Sequence, residues 1–237
     1  MADGTKNLPY WQIGVPEEER TEECPEYLRN MKVRDLEILN IPDSEFSIMA
    51  WEEVLTEVAA NRIDYLRRLP SDLRRYHAFT WKLKQDYGSV TNFLLEKRLG
   101  WSLPLEPRGA PFECSGDIKI LYNDWPYGVD PRIVHLLVWT KFPLREDPET
   151  GDLTAEERVA IDEYVNKTFR TKVPADQVLW FRNWNSLKSV RTVEHFHVML
   201  FDPDMEFVKG ITNGDIPYSR RIMANVEIPN DSHPAVA

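Results

Sequence analysis

Cysteine is scarce in this chain: only Cys24 and Cys114 occur, ninety residues apart. Two such residues make no disulfide framework, and without a C-x-x-C pair there is no thiolate clip for zinc. Long apolar runs are missing as well. The longest, around Ile133–Trp139, falls far short of the roughly 20 residues that span a bilayer, so no membrane partner is expected. Met1–Pro16 lacks the basic, apolar and small-residue order of a secretory signal. The expectation is a soluble, cytoplasmic protein. A Gly-rich phosphate loop, a G-x-S-x-G elbow and an H-E-x-x-H motif are all absent, which removes the signatures of the P-loop, α/β-hydrolase and zincin mechanisms. Basic residues are in the minority, 29 Lys and Arg against 39 Asp and Glu for a net charge of −10. Broad nucleic-acid binding, which needs a phosphate-neutralising surface, is therefore not expected.

What is present suits a folded domain. Hydrophobic residues make up 42% and aromatics 11% of the 237 positions, with eight Trp, too apolar a composition for intrinsic disorder. The acidity is uneven. Residues 1–60 carry five basic and fourteen acidic side chains, whereas residues 61–100 carry nine basic and four acidic. That basic stretch (Arg62, Arg67, Arg68, Arg74, Arg75, Lys82, Lys84, Lys97 and Arg98) reads either as a solvated helix face or as a local anion site.

Four regions follow from the texture of the chain. Residues 1–45, rich in Pro and Glu, read as an extended acidic arm. Residues 46–101 read as a helical subdomain. Apolar residues recur at three- and four-residue steps from Met49 to Ile63, Ser71 is a candidate cap after Pro70, and Gly88 and Gly100 are stop signals. Residues 110–205 read as an α+β domain. Strands are predicted at Asp117–Tyr122, Arg132–Phe142, Val178–Arg182 and Val193–Phe201. A helix opening at the Thr154-x-x-Glu157 capping box runs to about Phe169. Residues 206–237 read as a polar C-terminal tail. The fold class is α+β, a helical subdomain packed on an antiparallel sheet.

Chemistry concentrates at Glu194-His195-Phe196-His197. Strand side chains alternate faces, so His195 and His197 project from one face. Such a pair suits nucleophilic or acid–base chemistry on phosphate. The polar run Asn183, Asn185, Lys188 and Ser189 just upstream offers amide, ammonium and hydroxyl donors to an anion. Asn123 and Asp124 offer hydrogen bonds to sugar or base, and Trp125 offers a stacking face. No cofactor is favoured. The alternative is a divalent metal held by His135, His195 and His197, since three histidines with an open position suit catalytic zinc.

The order of these motifs resembles the histidine triad superfamily over roughly Asp117 to Phe201. The matching features are the strand before Asn123-Asp124-Trp125-Pro126-Tyr127, the strand His135–Lys141, the Leu153–Glu157 helix start, Phe181-x-Asn183, and Ser189-Val190 ahead of His195-x-His197. The resemblance implies the histidine triad fold, a base and ribose against the first strands, and phosphates at the paired histidines. It makes His197 the nucleophile on phosphorus and His195 its neighbour, with Ser189 and Asn183 or Asn185 on the phosphate side. Met199 departs from the pattern, standing where hydrolases keep histidine and transferases carry glutamine. A thioether is a poor hydrogen-bond partner.

Over about Trp51 to Pro217 the chain is similar to the fungal N-acetylglucosamine-induced proteins. The likeness lies in Tyr65–Pro70, Trp81–Lys84, Tyr87–Val90, Lys119–Gly128 and Ser186–Val190. That family defines no agreed reaction, and its name points toward amino-sugar or nucleotide-sugar metabolism. The expected function is a histidine-dependent hydrolase or transferase acting on a small-molecule phosphate ligand, a nucleotide or nucleotide sugar. The alternatives are a metal-dependent enzyme and a non-catalytic nucleotide-binding regulatory protein.

Overall fold

The computed structural model describes residues 8–184, 190 and 192–223. Four antiparallel strands form its centre. They are β1 (Ile118–Tyr122), β2 (Ile133–Thr140), β3 (Val178–Phe181) and β4 (Glu194–Phe201), in the spatial order β1-β2-β4-β3. Each predicted strand is present to within two residues at either end. The pairing sets Leu121 beside Leu137, Leu137 beside His197, and His197 beside Phe181. Because successive side chains alternate, the sheet has two different faces.

One face is mostly apolar. Leu136, Val138, Phe196, Val198, Leu200 and Val178 are buried there with Ile161, Val165 and Phe169. Those last three come from the crossover helix between β2 and β3 (Ala155–Val165) and the π turn that extends it (Asn166–Arg170). Thr154 caps this helix as predicted, its Oγ1 accepting from the Glu157 backbone at 3.2 Å. The reciprocal half of the capping box does not form. The Thr154 N–H donates to the Arg145 carbonyl, and Glu157 turns inward to accept from Arg145 Nε at 3.2 Å.

The other face carries the histidines, and the N-terminal helices cover it. In chain order the helices are α1 (Val33–Leu39), α2 (Trp51–Ala59), α3 (Pro70–Tyr87) and α4 (Val90–Phe93), the last running into a π turn at Leu94–Leu99. Trp51 and Val54 of α2, with Ile63 and Leu66, pack on Ile133, Phe181 and Met199. Leu94, Leu95 and Leu99 pack on Leu121, Leu137 and Trp139. The helix from Ala155 is α5, and α6 (Met205–Ile211) and α7 (Tyr218–Met223) complete the set.

Three expectations are corrected. Residues 8–45 are not an extended arm: they contain α1, and Leu28, Ile38 and Leu39 are buried against Leu73 of α3. Arg74 of α3 also grips the segment, donating to the carbonyls of Tyr10 and Ile13 at 3.2 and 3.0 Å. The cap of α3 is not Ser71. Pro70 opens the helix, and Asp43 accepts from the Ser71 N–H at 2.8 Å. Nor are residues 206–223 a polar tail. Val208 of α6 joins the apolar face, and Tyr218 of α7 is buried with Phe79, Phe93 and Trp125. Gly88 does end α3 in the left-handed conformation, at φ 74°, which glycine adopts without strain.

Gly128, in the loop between β1 and β2, is required by close approach. A Cβ there would lie 2.5 Å from Phe46 Cε1 and 3.1 Å from Leu69 Cδ1. Gly128→Ala should destabilise the protein by about 1–3 kcal/mol, the usual range for overpacking. That corresponds to a fall in Tm of several degrees for a chain this long. Urea and thermal unfolding by circular dichroism check it, and an unchanged midpoint would refute the steric argument.

Candidate functional site

His195 and His197 emerge from one face of β4, as the alternation predicts, and β2 brings His135 to the same face, opposite Met199. All three rings are enclosed between sheet and helices, at 3% exposure for His135, 6% for His195 and 4% for His197. They are not in purely apolar company. His135 Nε2 lies 2.8 Å from His197 Nδ1, a hydrogen bond between imidazoles. His195 Nδ1 donates to the Val193 carbonyl at 3.2 Å, and its ring stacks on Trp139 at 4.3 Å between centroids. Phe181 lies parallel to His197 at 4.7 Å and 7°, and Tyr127 covers the rings of His135 and His197 at 5.2 and 6.3 Å.

Burial keeps His135 and His197 uncharged. Desolvation lowers His135 from its ordinary value to about 3, with the Arg68 guanidinium adding to the effect. Desolvation also carries His197 well below its ordinary value, followed by the neighbouring His135 and His195 and then by Arg68. Arg68 is held over the rings of Tyr76 and Tyr127 at 4.3 and 5.5 Å and donates to the Trp125 carbonyl at 2.9 Å. A neutral imidazole is the form that can act as nucleophile or base.

Among the described residues, His197 Nε2 and Asn183 Oδ1 find no partner. Asn183 is itself buried, and its Nδ2 donates to the Tyr127 hydroxyl at 3.3 Å. Buried polar groups are ordinarily satisfied. An orphaned buried ring nitrogen is thus the kind of feature a ligand would complete.

The three residues expected to hold sugar or base are engaged inside the protein. Asn123 brings its Nδ2 to 3.3 Å from His135 Nδ1, and its Oδ1 accepts from the Trp125 N–H at 3.1 Å. Asp124 pairs with Arg98 at 2.9 Å and accepts from the Tyr218 N–H at 2.9 Å. Trp125 is 4% exposed and packs on Phe79 at 5.5 Å, which leaves no face for a base. Short polar loop residues between strands look alike in sequence whether they bind ligands or tie the loop down. Asn185, Lys188 and Ser189 lie outside the described residues.

The metal alternative is also corrected. Among the described residues no group of three His, Cys, Asp or Glu is disposed to hold a metal. The His135–His197 separation of 2.8 Å is a hydrogen bond, closer than the roughly 3.3 Å that two nitrogens keep on one tetrahedral zinc. Sequence reasoning passed over Tyr127 and Phe181 as site residues. The strand alternation that placed His197 also places Phe181, through the β3 register.

The family described as protein of unknown function (DUF3605) matches residues 50–201. This chain belongs to that family. Its DUF3605 segment spans α2 through β4 and so contains the entire histidine face. N-acetylglucosamine-induced protein 1 of Candida albicans is 31% identical over 185 residues, 69% of this chain and 72% of the relative. An uncharacterized protein of Saccharomyces cerevisiae is 28% identical over 173 residues, covering 70% and 86%. The crystal structure of HTC1 superposes with a TM-score of 0.58 at 25% identity, over 70% of this chain and 96% of that one. Among the described residues no helix is long and apolar enough to cross a membrane.

The buried imidazoles predict a pH dependence. His135 has a folded value of about 3 against about 6.5 unfolded. The unfolded chain therefore binds a proton that the native one refuses, and the stabilisation present above pH 6.5 is lost as pH falls. The loss for this ring should be about 2 kcal/mol between pH 7 and pH 5. Asp124 works in the opposite sense. Burial pushes its carboxyl up to about 6 against the pull of Arg98, so it stabilises as it gains a proton. The difference between wild type and His135→Gln isolates the imidazole. Urea unfolding at both pH values should show the smaller acid loss in the variant, and equal losses would contradict the assignment.

Proposed function

We propose that this protein is a histidine-dependent hydrolase or transferase acting on the phosphate of a nucleotide or nucleotide sugar, with His197 as the reacting residue. One observation carries the reading. His197 is a buried, neutral imidazole anchored at Nδ1 by His135 at 2.8 Å and, among the described residues, without a partner at Nε2. An anchored ring with one open nitrogen is what nucleophilic attack on phosphorus requires. The likeness of the strand and loop order to histidine triad proteins supports it. Asn183, whose Oδ1 is also unpartnered, stands on the ligand side. His195, fixed by the Val193 carbonyl, flanks the reaction. With His197 only 4% exposed, ligand entry requires the covering chain to move. The name of the Candida albicans relative refers to induction by N-acetylglucosamine, which makes nucleotide sugars of that amino sugar the first ligands to try. The two free thiols suit a reducing cytoplasm, where we assign the protein.

A second reading, nucleotide binding without catalysis, is favoured by Met199. It is fully buried in the cluster with Trp51, Val54 and Phe181. No protonating group therefore occupies the third motif position on β4. The two readings differ in one proton, because attack needs a lone pair on His197 Nε2 and binding alone is served by an N–H there.

A thermal-shift screen across nucleotides, nucleotide sugars and inorganic phosphate, with product analysis on the stabilising ligands, tests both. A ligand at 100 times its Kd should add about 2.7 kcal/mol of stability. His197→Ala should retain the fold and lose turnover by about 10³-fold or more. Undiminished turnover in that variant would eliminate the first reading. Stabilisation without product would select the second.

A further inference from the structure

The orientation of the Asn123 amide is fixed from outside the histidine pair. Its Oδ1 accepts the Trp125 backbone N–H at 3.1 Å. Exchanging its oxygen and nitrogen would set NH2 against N–H. The end facing His135 is consequently Nδ2, at 3.3 Å from Nδ1 and 3.4 Å from Nε2, and an amide nitrogen only donates.

A neutral imidazole carries one hydrogen. If His135 held it on Nδ1, that N–H would face the Asn123 NH2. The one lone pair left, on His135 Nε2, would then be claimed by both Asn123 and His197. With the hydrogen on His135 Nε2, each contact among Asn123, His135 and His197 pairs one donor with one acceptor. Asn123 Nδ2 donates to His135 Nδ1, and His135 Nε2 donates to His197 Nδ1 across 2.8 Å. His197 Nδ1 is then an acceptor, so the hydrogen of His197 sits on Nε2, the buried nitrogen without a partner.

We infer that Asn123 is a positioning residue that sets the tautomer of the His135–His197 pair, so that the resting protein presents an N–H at His197 Nε2. An N–H holds an acceptor such as a phosphate oxygen and cannot attack phosphorus. The attacking form requires a hydrogen to leave His197 Nε2, the bridging hydrogen to pass from His135 Nε2 to His197 Nδ1, and a hydrogen to arrive at His135 Nδ1. Two N–H bonds break, two form, and both rings stay neutral. That form is the minor one, and its population limits any attack. This functional meaning rests on the phosphate reading above, whereas the proton positions do not.

The test is two-bond 1H–15N NMR of the full chain labelled at histidine, near pH 7.5. His135→Gln and His197→Gln assign the signals. Both rings should show protonated Nε2 and unprotonated Nδ1. An unprotonated Nε2 on His197 would overturn the proposal, and this measurement needs no variant of Asn123. In Asn123→Leu, which removes the donor at similar volume, the His197 nitrogens should shift toward intermediate positions as the two tautomers mix. If Asn123→Leu left them unmoved, Asn123 would not be the determinant. Titration with inorganic phosphate separates the two levels. Movement of the His197 Nε2–H signal supports both, and a motionless signal with the proposed tautomer intact refutes the phosphate reading alone.

Discussion

The hydrogen bond between His135 and His197 sits where the sheet meets its helical cover, and much of the local architecture exists to satisfy it. Neither ring reaches water. Each imidazole nitrogen must find a partner in the protein or remain an energetic liability of about 1–3 kcal/mol. His135 meets that demand with His197 on one side and Asn123 on the other. Asn123 is fixed in turn by the Trp125 backbone. The indole of Trp125 then anchors the loop among Phe79, Phe93 and Tyr218. A polar requirement on β2 is thus passed to the helices through one amide.

The two faces of the sheet divide the labour. The face under α5 is a continuous apolar core and supplies stability in the ordinary way. The face under α2 and the π turn at Leu94–Leu99 mixes apolar clusters with three imidazoles, an amide and a phenol. His135 and His197 are uncharged there, because burial and the nearby Arg68 oppose protonation.

Periodicity made the sheet legible. Val193–Phe201 alternates strictly enough to place both histidines on one face, and turn residues bounded the other strands. The Thr154 cap and the Gly88 stop were equally plain, since each is local chemistry. What the sequence concealed was long-range. The Pro- and Glu-rich N-terminal segment resembles a loose arm, because nothing local reveals that Leu28, Ile38 and Leu39 meet Leu73. Asp124 and Trp125 looked like ligand contacts because their partners, Arg98 and Phe79, lie 26 and 46 residues away. His135 stood out as a third histidine, but only the strand register turns it from a candidate metal ligand into the hydrogen-bond partner of His197.

Arg98, in the last turn of the π segment, has its side chain 4% exposed between Asp124 and Asp215, the latter at 2.9 Å through Nη2. Asp215 also accepts from the Tyr122 N–H at 3.0 Å. Two of these three charges belong to the 50–201 segment shared across the family, while the third comes from the connection between α6 and α7. A fragment trimmed to the shared segment would strand a guanidinium indoors with half its countercharge and leave the end of β1 uncapped. Removing one partner of such a pair typically costs about 3–5 kcal/mol. The shared segment therefore draws part of its stability from its C-terminal neighbour, which serves as its keystone.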